Sequence, residues 1–467
     1  MKKTILYLII ITFVACLQVG CNYEQDVILI NYASGSYSGT GTDDEGEEQT
    51  WTSSLTIVWN GSAATVSGSV NGVSVTNSNG YVTVTSAVNS VSYTVSGSGA
   101  GQLTIYSDYP FQLNLQDLTL NCSDGPAINN QSHEKCYVVI NSTNTLTDGT
   151  TYASSTEDRK AAFFSEGSLY FSGSGVLTII GNYKHALASD DNICLCSGMT
   201  ATMNLVAGMN DGMHSNEGIY IAAGTLIINA QDECIRTDYG AIEISGGTIT
   251  AFSQSEAIES KSTLTISGGQ VYAQASDDAI NSAGDLIITG GYVCAYSTGN
   301  DGLDANGNCY IQGGLVYAIG ANSPEVAVDA NSEQQKQLYV QGGILVAIGG
   351  LENGANLTQA CYAASSWSKN TWYALTVGSE VFAFQTPGSG GTTLVVSGAS
   401  TPTLASGVTA SGTAIFNGMS YYPASVSGGT SVELSAYSGG NSGGGPGGDN
   451  PGGDFPGGGG PGGGKPF

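Results

Sequence analysis

Acidic residues in the middle of this chain recur at a nearly constant spacing, and this pattern is the one most directly tied to chemistry. One row comprises Asp211, Glu233, Glu256, Asp278 and Asp301. A second row, one residue past the apolar residue that follows each acid, comprises Arg236, Glu259, Asn281, Asp304 and Asp329. If these residues stack ~4.8 Å apart, two like charges repel by roughly 3–4 kcal/mol at an effective dielectric of 20. Such rows are therefore costly unless the side chains splay into water or share cations.

Calcium is the cation that these residue types favour, because it takes six to eight oxygen ligands from carboxylates, amides and carbonyls. The candidate ligands are Asp211, Asp232, Glu233, Asp277, Asp278, Asp301, Asp304 and Asn306. The segment NDGLDANG, residues 300–307, offers several of these oxygens on a tight glycine-containing turn. The alternative is that Asp and Asn simply suit turns, where their side chains bond the local backbone.

The elements that would position these acids are short strands. Apolar residues after each acid lie 22, 23, 22, 23 and 25 residues apart, and no helical period accompanies them. A period near 22 residues without helices predicts an all-β fold, a parallel β-helix with about 22–23 residues per turn. In LTISGGQVYA, from Leu264 to Ala273, strand alternation predicts that Leu264, Ile266, Val271 and Ala273 point inward. Thr265, Gln270 and Tyr272 are then expected to point outward.

The overall charge limits the partners that the chain can bind directly. The 467 residues include 38 acidic and 11 basic residues, for a net charge of -27, and 68 glycines. This acidity argues against nucleic acid, which needs a positive surface, and against acidic polymers unless a cation lies between. Polysaccharide bound with the help of divalent metal ions remains compatible with the charge.

The ends of the chain predict export and a tail. Residues 1–21 resemble a bacterial lipoprotein signal with Cys21 as the lipidated residue, while Cys16 and an ordinary secretory signal remain alternatives. Acidic residues just past Cys21 point to the cell surface or outer membrane. The expected order is then an acidic linker (22–50), an N-terminal β segment (51–120), the β-helix (121–350), a C-terminal β segment (351–437) and a disordered Gly/Pro-rich tail (438–467).

Four motifs together resemble a known family. They are GPAIN at 125, NTLTDGTTY at 144, SLYFSGSGVLTIIGNYKHAL at 168 and NDGMHS at 210. The region 85–350 resembles the bacterial surface carbohydrate-binding domain built as a right-handed parallel β-helix and related to polysaccharide lyases. The resemblance implies calcium, binding of cellulose or acidic pectic sugars, and the cell surface. It also places Asp148, His185 and Asp211 on motif positions, with Asp148 as a further metal candidate, although the family's repeated DDGI has drifted here to DECI, SEAI and DDAI.

Binding without cleavage has the clearer basis in the residues. Aromatic faces stack on sugar rings while the tyrosine hydroxyl stays in water, and the candidate carbohydrate-binding residues are Tyr272, Tyr310, Tyr317 and Tyr339. The alternative is that these tyrosines simply suit strands. A calcium-dependent lyase would need a base with a lowered pKa, for which Arg236 and Lys261 are the candidates. Arg236 could instead just offset the acidic row, and a purely structural adhesin that binds a protein partner also stays open.

Overall fold

The structure is a computed structural model that describes residues 41–42 and 48–439. The predicted signal with Cys16 and Cys21, most of the acidic linker and nearly all of the Gly/Pro-rich tail lie outside the described residues. Among the described residues, no helix has the length and apolar character needed to cross a membrane.

Strands make up nearly all of the regular structure. The N-terminal part contains β1 (Gly41–Thr42), β2 (Glu48–Gln49), β3 (Ser53–Gly61), β4 (Ala63–Ser67), β5 (Val73–Ser78), β6 (Tyr81–Ser86), β7 (Val91–Ala100), β8 (Gln102–Ser107) and β9 (Phe111–Asn121). The repeated part contains β10 (Ile128–Asn130), β11 (Cys136–Asn141), β12 (Thr143–Thr147), β13 (Ala161–Ser165), β14 (Leu169–Gly173), β15 (Val176–Gly181), β16 (His185–Ser189), β17 (Ile193–Leu195), β18 (Thr202–Ala207), β19 (Met213–Ser215), β20 (Ile219–Ile221), β21 (Thr225–Ala230), β22 (Ile235–Thr237), β23 (Ile242–Ile244), β24 (Thr248–Ser253), β25 (Ile258–Ser260), β26 (Leu264–Ile266), β27 (Gln270–Ala275), β28 (Ile280–Ser282), β29 (Leu286–Ile288), β30 (Tyr292–Ser297), β31 (Leu303–Ala305), β32 (Cys309–Ile311), β33 (Leu315–Ile319), β34 (Leu338–Val340), β35 (Ile344–Ile348) and β36 (Asn356–Leu357). The C-terminal part contains β37 (Cys361–Ala364), β38 (Trp372–Val377), β39 (Glu380–Gln385), β40 (Leu394–Ser397), β41 (Thr403–Ile415), β42 (Ser420–Val432) and β43 (Leu434–Tyr437), and short 3-10 turns lie at Ser332–Gln334 and Phe416–Gly418.

The repeated strands wind into a parallel β-solenoid of about ten turns with three faces. Face A consists of β6, β8, β10, β13, β16, β19, β22, β25, β28 and β31. Face B consists of β11, β14, β17, β20, β23, β26, β29, β32, β34 and β36, and face C of β12, β15, β18, β21, β24, β27, β30, β33 and β35. Every strand pairs in parallel with the equivalent strand one turn away, for example Ile258 with Ile280 and Leu264 with Leu286. The predicted all-β fold and parallel β-helix are confirmed.

Alternation along each strand builds the core, as the sequence pattern predicts. Leu264, Ile266, Val271 and Ala273 are all fully buried. Because residues two apart on a strand face the same side, each turn contributes such residues to one continuous apolar column along the solenoid. This column holds the turns in register, so polar residues at equivalent positions are also stacked.

The corner between faces B and C requires glycine for a steric reason. Gly291 has a φ of 79°, and a Cβ there would lie 2.7 Å from the backbone of Gly268 on the preceding turn. Gly354 has a similar φ of 76° but open space around it.

We expect Gly291→Ala to lower the free energy of unfolding by about 2–4 kcal/mol, because it adds a backbone clash to the strain of positive φ. Gly354→Ala should cost only about 1 kcal/mol, since strain acts there alone. Denaturant unfolding of both variants measures the difference. Equal losses would contradict the steric account of this corner.

The C-terminal part packs on face C rather than standing apart. Strands β38, β39, β42 and β41 form a small closed antiparallel sheet, and β40 pairs antiparallel with β35 at the end of the solenoid. Phe382 and Phe384 from this sheet share one apolar cluster with Tyr317 and Val346 of face C. The predicted C-terminal β segment therefore covers part of the solenoid surface.

Candidate functional site

The second polar row of the sequence lies on the outer side of face A, in strand register. Strand register adds His214 to this row, and we call the extended row the polar ladder: His214, Arg236, Glu259, Asn281, Asp304 and Asp329. Parallel pairing places each of these residues beside its equivalent on the next turn. The ladder has basic residues at one end and carboxylates at the other.

The first acidic row lies at the corner between faces C and A and is mostly buried. Asp211, Glu233, Asp278 and Asp301 are 2%, 4%, 5% and 8% exposed. Backbone bonds connect the corner from turn to turn, as where Ala279 N donates to Asp301 O at 3.1 Å. The two rows predicted from spacing are thus adjacent edges of one polar surface.

At the acidic end, three carboxylates converge. Asp301, Asp304 and Asp329 each place an oxygen within 4.8 Å of the others, a spacing that could hold a metal ion. Asn281 Nδ2 donates to Asp278 Oδ2 at 3.1 Å and to Asp304 Oδ2 at 2.9 Å. Asp301 Oδ1 also accepts from the backbone N–H of Val326 at 2.6 Å, as Asp278 Oδ1 does from that of Asp301 at 2.9 Å. These hydrogen bonds hold the cluster in place.

The electrostatics of this end favour a cation. Burial raises the pKa of Asp278 and of Asp301 well above its usual range, and neighbouring carboxylates add to this effect. Burial and the carboxyl of Glu352 raise the pKa of Asp329 to about 11. A bound divalent ion would reverse the effect, because an opposite charge stabilises ionised carboxylates. The residues present therefore suit a hard cation with oxygen ligands.

At the basic end, Arg236 is held by three carboxylates. Its guanidinium lies 3.2 Å from Glu233, 3.2 Å from Asp238 and 3.3 Å from Glu259. Lys261 also contacts Glu259. Although burial opposes it, these carboxylates raise the pKa of Arg236 above its usual value. A base for proton abstraction needs a lowered pKa, so this environment suits charge compensation better than lyase chemistry.

Two histidines meet at the same end of the ladder. His185 begins β16 and His214 lies in β19 on the next turn, with ring centroids 4.3 Å apart. Both Nδ1 atoms face Asp211 Oδ2, at 3.2 Å from His185 and 2.7 Å from His214. His214 Nε2 lies 3.4 Å from Asp238 Oδ2. The side chains of His185, Asp211 and His214 are all buried.

The protonated form of His214 is stabilised by two acids. Burial alone would lower its pKa, but hydrogen bonds to Asp211 and Asp238 raise it to about 9. Because the folded pKa exceeds the unfolded value of about 6.5, the contribution to stability is complete below about pH 6.5 and is lost as pH rises through about 9. Arg236 and His185, whose pKa is lowered chiefly by burial, also lie beside His214.

In the presence of a chelator, we expect the contribution of His214 to the free energy of unfolding to fall by on the order of 3 kcal/mol between pH 6.5 and pH 10. The measurement is the difference between the pH profiles of unfolding free energy of the wild type and His214→Gln. His133→Gln, which removes an exposed histidine, is the control. Parallel profiles for the wild type and His214→Gln would contradict this assignment.

Several predicted metal ligands lie apart from these clusters. Asp277 is exposed and accepts a hydrogen bond from Asn300 at 2.7 Å. Asn306 is also exposed, because it follows β31 at the opposite corner of face A. Asp148 is buried, and its carboxylate accepts from Tyr152 at 2.7 Å and from a backbone N–H on the next turn at 2.6 Å. These three lie outside the clusters of the described residues and stay predictions, whereas Asp211, Asp232 and Glu233 lie within 4.8 Å of one another.

Only two of the four tyrosines predicted to bind carbohydrate are partly exposed to solvent. Tyr272 is 4% exposed and Tyr317 is fully buried, because the C-terminal sheet covers face C, so neither ring is open to a sugar. Tyr310 and Tyr339 on face B are partly exposed, and their rings stack at 4.9 Å with an angle of 8° between planes. We call these two residues the tyrosine pair.

The prediction of metal ligands from the sequence missed two features of the structure. Asp329 completes the acidic cluster, and its place in the second row was the signal that could have found it. His185 and His214 carried no recognisable ligand spacing, since 29 residues separate them. Their meeting follows only from the register of β16 and β19, which pairs Ala188 with His214.

The fold and this surface define a class of protein: a parallel β-solenoid with a continuous polar edge suited to cations. The chain belongs to the carbohydrate-binding domain-containing protein family, whose profile matches residues 78–343, more than half of the chain. It is also similar to the solved structure of a polysaccharide lyase-like protein from C. thermocellum, a gadolinium derivative, at 22% identity. That match covers 51% of this chain and 100% of the other, with a TM-score of 0.45. No curated protein matches this chain.

Proposed function

We propose that this chain is a calcium-dependent polysaccharide-binding protein, anchored at the cell surface by a lipid, that holds its glycan without cleaving it. The observation that carries the proposal is the convergence of Asp301, Asp304 and Asp329 at the open edge of face A in a member of a carbohydrate-binding family.

Calcium is the ion that fits the acidic cluster best. All three side chains offer carboxylate oxygens, and calcium takes six to eight oxygen ligands at 2.3–2.6 Å, approximately. Asp304 and Asp329 are half-buried, so the cluster opens to solvent on one side. An ion held there keeps coordination positions for ligands from outside the protein.

Acidic pectic sugars match these open positions. The chain carries a net charge of -27, so a polyuronate would be repelled by the bare protein. A calcium ion held by the cluster would reverse the local charge and could bind a uronate carboxylate directly. Calcium therefore serves as the bridge between two acidic partners, whereas cellulose, which is neutral, would depend on aromatic stacking alone.

The tyrosine pair supplies an aromatic surface on face B, although each ring covers one face of the other. Tyr310 and Tyr339 lie at equivalent positions of adjacent turns, so their rings follow the long axis of the solenoid. Pairs of aromatic rings contribute roughly 0.5–1.5 kcal/mol beyond the area they bury, and we propose a similar contribution for each ring in contact with a sugar. A polysaccharide chain lying along face B would contact both rings.

Replacing both tyrosines by alanine should weaken binding of a neutral polysaccharide by about tenfold or more, while calcium binding stays unchanged. The matched control is Tyr239→Ala, on the turn after β22, which removes the most exposed large apolar side chain among the described residues. Affinity gels with a soluble cellulose derivative give the measurement. A stronger loss in the Tyr239→Ala variant would place the stacking surface elsewhere.

The experiment that tests the proposed function is retardation of the mature chain in gels that contain polygalacturonate, with calcium or with a chelator. A parallel tube follows the ultraviolet absorbance of unsaturated products. Calcium-dependent retardation without new absorbance is the expected result. Rising absorbance would make the chain a lyase, and absence of retardation on every glycan tested would refute the binding proposal.

Lipid anchoring rests on the sequence of residues 1–21 and has its own test. Detergent phase partitioning of the exported chain should place it in the detergent-rich phase, and Cys21→Ser should move it to the aqueous phase. A shift with Cys16→Ser instead would identify the other cysteine as the lipidated residue.

A further inference from the structure

The cluster at the basic end of the polar ladder differs in chemistry from the acidic cluster. His185, Asp211 and His214 each place one potential ligand atom within 4.8 Å of the other two. Two of these atoms are imidazole nitrogens, which suit zinc and other borderline transition metals, whereas calcium prefers oxygen. The two ends of the surface would therefore select different ions.

The distances are close to those of a zinc coordination sphere. Ligand atoms about 2.0–2.1 Å from a tetrahedral zinc ion lie about 3.4 Å from one another. Asp211 Oδ2 lies 3.2 Å from His185 Nδ1 and 2.7 Å from His214 Nδ1. To admit an ion, His185 Nδ1 would move about 0.2 Å and His214 Nδ1 about 0.7 Å further from Asp211 Oδ2.

Hydrogen bonding in the cluster is incomplete, which points independently to a ligand. Asp211 Oδ1 is buried and has no hydrogen-bond partner among the described residues, and the same holds for Glu233 Oε2. His185 Nδ1 accepts a long bond of 3.3 Å from the backbone N–H of Asp211 and lies 3.2 Å from Asp211 Oδ2. Unpartnered buried polar atoms are costly, and a cation bound by the Asp211 carboxylate would offset part of this cost.

The surroundings of His214 match those of metal-bound histidines. Its second nitrogen, Nε2, lies 3.4 Å from Asp238 Oδ2, and Asp238 in turn accepts from Arg236 Nε at 3.2 Å. A carboxylate behind a ligating imidazole orients the ring and raises its basicity. Glu233 belongs to a separate group with Asp211 and Asp232, so water would complete the coordination of an ion held by the two histidines and Asp211.

We propose that His185, Asp211 and His214 form a zinc site that joins two adjacent turns of the solenoid. The site is separate from the proposed calcium cluster and does not depend on glycan binding. Zinc takes the place of the proton between His214 Nδ1 and Asp211 Oδ2, and that proton leaves to solvent. The ion then links β16 to the corner before β19.

The test uses the full chain without a histidine tag, stripped of metal and titrated with zinc in an excess of calcium. We expect one zinc ion per chain, and His185→Gln and His214→Gln should each weaken its binding by about 10- to 100-fold. His133→Gln, at an exposed position, is the matched control and should bind zinc as the wild type does. A double Asp301→Asn, Asp304→Asn variant should also keep zinc, which separates this site from the calcium proposal.

X-ray absorption at the zinc edge of the wild type decides the matter even if a variant fails to fold. Two imidazole nitrogens at about 2.0–2.1 Å are expected in the ligand shell. A wild type that takes up no zinc, a shell without imidazole, or equal binding after loss of both histidines would each overturn the proposal.

Discussion

Replacing Asp301 and Asp304 together by asparagine abolishes calcium-dependent retention of the chain by polygalacturonate, with an expected loss of affinity of about 100-fold or more. The two amides preserve size and can still offer oxygen, but they remove two of the three negative charges that converge with Asp329. Without this charge the ion is held too weakly to bridge to a uronate.

In the calcium-free protein, the same variant should raise the stability of the fold. Burial and neighbouring carboxylates raise the pKa of Asp301 well above its usual range, so its ionised form destabilises the folded chain near neutral pH. The double variant should therefore unfold at a higher temperature than the wild type in chelator and gain less from added calcium. Thermal unfolding with and without calcium gives both comparisons.

Asp277→Asn is the matched control, because Asp277 lies in the same acidic corner yet is exposed and outside the cluster. It should leave both retention and the calcium-induced shift in melting temperature near their wild-type values. If Asp277→Asn and the double variant behaved alike, the charge of the whole edge rather than one cluster would govern binding.

The second large effect is expected at Tyr317. This side chain is fully buried, with ring centroids 6.1 Å from Phe382 and 5.2 Å from Phe384, and its hydroxyl donates to Gln385 O at 2.9 Å. Tyr317→Ala should lower the free energy of unfolding by about 3–5 kcal/mol, because it leaves a cavity between the solenoid and the C-terminal sheet.

Tyr317→Phe separates packing from hydrogen bonding. It keeps the ring and should cost only about 1–3 kcal/mol for the unpaired carbonyl of Gln385. Limited proteolysis should cleave β38–β42 faster in Tyr317→Ala than in Tyr317→Phe, since the sheet loses its contact with face C. Equal cleavage rates would mean that other contacts hold the sheet in place.

The sequence alone determined the repeated architecture. A period of 22 to 23 residues becomes strand register directly, because each turn of a parallel solenoid lies on the equivalent residues of the turn before. For this reason the inward positions, such as Ile266 and Val271, and both polar rows were predictable without coordinates. The convergence of Asp304 with Asp329 on the next turn follows from the same relation between sequence spacing and stacking.

The tertiary structure decided which of these residues are accessible and which meet across turns. Tyr272 and Tyr317 were predicted to face solvent because strand alternation places them outside the solenoid, yet Phe382 and Phe384 from far along the chain bury that face. Local alternation separates inside from outside within one layer, but it carries no information about a second layer packed on top. His185 likewise meets His214 through the register of β16 with β19, at a turn of 26 residues that departs from the period of 22 to 23.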